Sequence, residues 1–129
     1  AEVLPHLAPR FEGMALRVPV QDVSAVDLTV KVAGPVTLER VKDVFRQAAE
    51  GEMAPYLGYS EEPLVSSDYI GNPKSAVIDA LSLKVMDDQI KVLAWYDNEW
   101  AYASRVAELV RLTAERIEQQ QSAAQSATA

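Results

Sequence analysis

The chain has 129 residues, 49% hydrophobic and 24% charged, a balance that suits a single globular domain. Twelve Lys and Arg against 19 Asp and Glu leave a net charge of −7, so the basic field that nucleic acid or an anionic membrane surface requires is missing. With no cysteine and one histidine, disulfides, thiolate metal sites, thiol nucleophiles and a histidine metal cluster are excluded as well.

No apolar run approaches the roughly 20 residues of a membrane span, and no basic stretch leads into an apolar one near residue 1, so a soluble, cytoplasmic protein is expected. Met14, Leu16, Val18 and Val20 alternate with Ala15, Arg17 and Pro19, the period-two pattern of a strand. Arg17 would then project from its polar face. Val26, Leu28, Val30 and Val32 repeat the pattern, and the short link 21–23 predicts that the two strands pair antiparallel. Gly34-Pro35 breaks the alternation. Thr37 is placed to cap a helix carrying Leu38, Val41, Phe45 and Ala48, which Gly51 ends.

Residues 52–74 are punctuated by Gly58, Pro63, Gly71 and Pro73 and read as loops around a short strand at 56–59. The runs 77–86 and 90–96 form a hairpin turning at Asp87-Asp88-Gln89. A second helix begins near Asp97-Asn98, where either side chain can cap, and Tyr102, Val106, Leu109, Thr113 and Ile117 form its apolar stripe. These elements predict an α+β fold, a mostly antiparallel sheet with two amphipathic helices. Residues 1–118 make up the domain. The Gln, Ser and Ala of 119–129 form a polar tail that frays or extends the helix without packing.

Physical chemistry alone finds no catalytic constellation. His6 reads as an exposed, unengaged side chain, Asp87 and Asp88 as turn formers, and Ser66, Ser67 and Asp68 as a loop bonded to itself. Arg17 can clamp a phosphate with two parallel hydrogen bonds, although a solvated strand arginine is the more common case. Asn98 can donate to and accept from a ligand or simply cap a helix, and Tyr102 sits where core packing is the default.

Four stretches stand in a distinctive order: Gly13-Met-Ala-Leu-Arg-Val-Pro19, Val23-Ser-Ala-Val-Asp-Leu28, Leu57-Gly-Tyr-Ser-Glu-Glu-Pro-Leu-Val-Ser-Ser-Asp68 and Trp95-Tyr-Asp-Asn-Glu-Trp100. Together they resemble the C-terminal part of the catalytic domain of phosphorylating glyceraldehyde-3-phosphate dehydrogenases, over about residues 3–109. In that family a cysteine thiolate attacks the aldehyde, hydride passes to NAD or NADP, and phosphate releases the product as an acyl phosphate, with a histidine as base and acid. This chain holds neither that cysteine nor a Rossmann domain, so no catalytic residue is assigned in it, nor a metal site. The resemblance implies that Arg17 holds phosphate or the substrate's phosphate, that Asn98 hydrogen-bonds the nicotinamide carboxamide, and that Tyr102 packs beside the nicotinamide ring. It further implies glyceraldehyde 3-phosphate and inorganic phosphate as ligands, the N-terminal half of the subunit as partner, a homo-oligomer that is a tetramer in the family, and a final helix docked on the cofactor domain. The family pattern Asp-Asn-Glu-Trp-Gly-Tyr-Ser-Asn-Arg is altered here by Ala101, Ala103 and Ser104. Two alternatives stand beside the enzyme portion: an inactive remnant serving as a binding or assembly module, and an enzyme of a dedicated pathway in which arsenate takes the Arg17 site.

Overall fold

The computed structural model describes residues 3–127. A 3-10 turn at Pro5–Arg10 leads into strand β1 (Ser24–Lys31), helix α1 (Leu38–Glu50) and strand β2 (Leu57–Ser60). After a second 3-10 turn at Ser66–Tyr69 come β3 (Ala76–Asp79), β4 (Lys84–Met86), β5 (Gln89–Tyr96) and helix α2 (Trp100–Ala127). The sheet runs β1-β5-β3-β2, and β4 also pairs with β5. Three of its four pairings are antiparallel, and β2 lies parallel to β3. The α+β expectation holds.

Two local expectations do not. Residues 14–20 form no strand, and β1 pairs with β5, Ser24 opposite Tyr96, not with the segment before it. The alternation is real, but a strand needs a ladder partner and cover for its apolar face, and Met14 and Leu16 are 85% and 78% exposed. Apolar side chains on an unpaired segment do not make a sheet of their own. The run 77–86 also divides into β3 and β4. Asp79 causes the break: its Oδ1 accepts the N–H of Leu81 at 3.0 Å and of Ser82 at 3.1 Å, closing a turn that the apolar residues around it conceal.

Thr37 caps α1 as expected, its Oγ1 accepting the Arg40 N–H at 3.2 Å. At Gly51 a Cβ would stand 2.8 Å from the Gln47 carbonyl oxygen, so only glycine closes this helix without displacing its last turn. The buried face of α1 brings Val41 onto Ile78, Ala80, Leu83, Val92 and Ala94, with Leu38 and Phe45 beside them. Each large apolar side chain so buried contributes about 1.5–3 kcal/mol, which makes this the main core. On the other face Val23, Tyr69 and Val77 form a smaller cluster against Leu64 and Trp95. The Asp87-Asp88 turn joins β4 to β5, with Asp87 in the left-handed region that aspartate tolerates, φ 56°, and Asp88 paired to Lys31 at 3.1 Å.

Helix α2 leaves the end of β5 and continues through the polar residues to Ala127. Ala101 is buried, and Arg105 ties the first turns down by donating to Ser75 Oγ at 3.1 Å and lying 4.8 Å over the Tyr56 ring. Beyond that, Val106, Leu109, Thr113 and Ile117 all face solvent. Among the described residues no helix is long and apolar enough to cross a membrane.

Candidate functional site

The junction between β5 and α2 concentrates the polar chemistry. Asp97 is the one buried charged side chain among the described residues, 2% exposed. Its Oδ1 accepts the N–H of Glu99 at 2.9 Å and of Trp100 at 2.7 Å, and its Oδ2 accepts the N–H of Gly71 at 2.8 Å. A carboxylate so placed satisfies the open N–H groups of a helix start and meets the positive end of the helix dipole. The Trp100 N–H does most to hold the Asp97 carboxyl below the usual carboxylate range, acting against burial, which pulls the other way. The Gly71 and Glu99 N–H groups add to the effect, and the Asp22 carboxyl contributes least.

Gly71 meets Asp97 from a loop where its φ is +78°, a conformation that a side chain would strain. Val23 also stands in the left-handed region, with φ 71°, unfavourable for a β-branched residue. Its burial against Tyr69 and Val77 and the 2.7 Å hydrogen bond from its N–H to Asp22 Oδ1 hold it there. The next residue, Ser24, donates its hydroxyl to Asn98 Oδ1 at 3.2 Å.

Asn98 is thus not the cap, a role Asp97 takes; it is an exposed amide fixed by its backbone and steadied by Ser24. Tyr102 follows one helical turn later and is 70% exposed, so its ring is not core packing. Arg17 lies in the irregular segment that precedes β1, exposed and without a hydrogen bond or ion pair among the described residues. Asn98 and Tyr102 stand one helical turn apart at the start of α2; no hydrogen bond or ion pair among the described residues joins Arg17 to them. His6 is exposed in the first 3-10 turn, and Asp68 accepts the Val65 N–H at 2.8 Å within its own loop. Among the described residues no group of three His, Cys, Asp or Glu side chains could hold a metal. The capping signal at Asp97-Asn98 already pointed to Asp97, while the parts of Ser24 and Gly71 emerge only from the assembled sheet.

The fold and site define an α+β domain that leaves the Asn98 amide, the Tyr102 ring and the Arg17 guanidinium exposed. Residues 1–98 match the family model of the glyceraldehyde 3-phosphate dehydrogenase C-terminal domain, and the chain belongs to that family. It is 55% identical over 116 residues to glyceraldehyde-3-phosphate dehydrogenase 2 of Bacillus subtilis, covering 89% of this chain and 34% of that protein. It is 54% identical over 110 residues to glyceraldehyde-3-phosphate dehydrogenase 1 of Bacillus cereus, covering 84% of the chain and 33% of that protein. With the cytosolic glyceraldehyde-3-phosphate dehydrogenase 2 of Hordeum vulgare it shares 45% identity over 111 residues, 85% of the chain and 36% of that protein. The chain therefore spans about a third of the length of these relatives.

Proposed function

We propose that this chain forms the C-terminal portion of an NAD(P)-dependent phosphorylating glyceraldehyde-3-phosphate dehydrogenase. Arg17 binds inorganic phosphate or the substrate's phosphate, and Asn98 and Tyr102 position the nicotinamide. One observation carries the reading: the Asn98 amide is exposed on a backbone pinned by Asp97, with the uncovered Tyr102 ring one turn away. An amide offers a donor and an acceptor in one plane, which suits a carboxamide, and an aromatic ring beside it offers a flat apolar wall. NAD or NADP would supply the hydride acceptor; this chain's residues would orient it and hold the anion. The thiolate nucleophile must come from elsewhere in the subunit, since the chain contains no cysteine. The exposed apolar stripe of α2 fits a face that docks on a cofactor-binding domain, and the unpaired segment 11–22 fits contacts within a homo-oligomer. The barley relative is named as cytosolic, in keeping with a cytoplasmic place of action.

The test joins residues 1–129 to the N-terminal two thirds of the Bacillus subtilis relative and follows NADH formation with glyceraldehyde 3-phosphate, phosphate and NAD. Turnover is expected, and Asn98→Ala should reduce kcat/KM for NAD by about tenfold or more. A folded, assembled fusion without turnover would instead favour the inactive binding module.

A further inference from the structure

Asn98 itself contributes little to its own placement. Its one side-chain hydrogen bond among the described residues is the 3.2 Å contact from the hydroxyl of half-buried Ser24, too weak alone to hold an amide against solvent. The backbone on either side is another matter. A single buried carboxylate, that of Asp97, grips N–H groups from two separate segments, Gly71 in the loop before β3 and Glu99 and Trp100 at the start of α2. Asn98 lies inside that grip, between the carboxylate's own residue and the first N–H it holds.

We propose that Asp97 is a positioning residue for the nicotinamide contact, acting through the backbone of Asn98 and the first turn of α2. The inference rests on the cofactor reading of Asn98 given above. The carboxylate matters because it is acceptor-only: two oxygens meet three N–H groups with no proton to misplace. The amide introduced by Asp97→Asn would keep one acceptor and turn its NH2 toward a backbone N–H, so either the Gly71 tie or the helix cap would be lost. Helix α2 has few other anchors, the Arg105 contacts and buried Ala101 among them, so a slip at this junction would move Asn98 and Tyr102 together.

The experiment has two readouts. In the full chain, hydrogen exchange at the Gly71, Glu99 and Trp100 amides should quicken by about tenfold or more in Asp97→Asn, with the core amides of Val92 and Ala94 within about twofold. In the fusion enzyme, Asp97→Asn should lower kcat/KM for NAD per titrated active-site thiol by about tenfold, leaving KM for phosphate within about twofold. The double variant Asp97→Asn with Asn98→Ala should be no worse than Asn98→Ala alone, because both changes remove one contact. Asp97→Ser, which keeps a helix cap but cannot reach Gly71, serves where Asp97→Asn does not fold. Unchanged exchange, or a loss only in the amount of active enzyme with normal kinetics per thiol, overturns the inference. If Asn98→Ala is impaired and Asp97→Asn is not, the positioning role alone fails. If Asn98→Ala is silent, the cofactor reading fails and the inference with it.

Discussion

Tyr69 and Trp95 lie nearly parallel, ring centroids 5.7 Å apart and planes 12° from one another. The pair joins the loop that carries Gly71 to the last residues of β5, two positions before Asp97, and Val23 and Val77 pack beside it. Stacking of this kind adds about 0.5–1.5 kcal/mol to ordinary burial. It also brings the loop close enough to the end of β5 for the Asp97 carboxylate to hold the Gly71 N–H as well as the first turn of α2.

The chain alone is expected to show no dehydrogenase activity, because the covalent step requires a thiolate and no cysteine is present. Purified chain incubated with glyceraldehyde 3-phosphate, phosphate and NAD should give no rise in nicotinamide absorbance. Turnover above the level of a mock purification would contradict this.

Arg17→Leu in the fusion enzyme should weaken phosphate and substrate use by about tenfold or more while leaving NAD binding nearly unchanged, since its planar guanidinium is suited to an anion and has no ion pair among the described residues. Initial rates against phosphate, with NAD titrated separately, measure both. Unaltered phosphate dependence would return Arg17 to the solvated surface.

Self-association of the isolated chain follows from what it leaves uncovered. Leu16, Leu109 and Val110 are all more than half exposed, and burying such side chains between copies is worth about 1.5–3 kcal/mol each. The net charge of −7 opposes this only weakly at physiological salt, where screening acts beyond about 8 Å. Light scattering should find species heavier than 14.1 kDa; a monodisperse monomer with a cooperative melt would favour a self-sufficient binding module.

Acid should loosen the β5–α2 junction. Because the folded state holds Asp97 below its ordinary pKa, about 3.9 when unfolded, its contribution is complete above that value and is lost as pH falls through the lower folded value. Glu61, drawn down by its hydrogen bond to Arg46, acts with the same sign. Urea unfolding followed from about pH 6 to pH 2 should therefore show falling stability below about pH 4, with a flatter profile in Asp97→Asn. Parallel profiles in the two proteins would show that Asp97 does not carry this dependence.

What the sequence determined by itself was whatever depends on near neighbours along the chain. Thr37 and Gly51 bound α1 because capping and a close carbonyl approach are local demands, and Asp87-Asp88 turns the hairpin for the same reason. The motifs around Arg17, Asn98 and Tyr102 were legible too, and carried the family with them. Alternation at 14–20 misled because periodicity records which face is apolar, not whether a partner strand exists to pair with it. Tertiary structure alone decided that Asp97, and not Asn98, caps α2. Both side chains can accept an N–H, and the choice turned on Gly71, 26 residues away in sequence, whose N–H gives the buried carboxylate its further partner and leaves the amide of Asn98 facing outward.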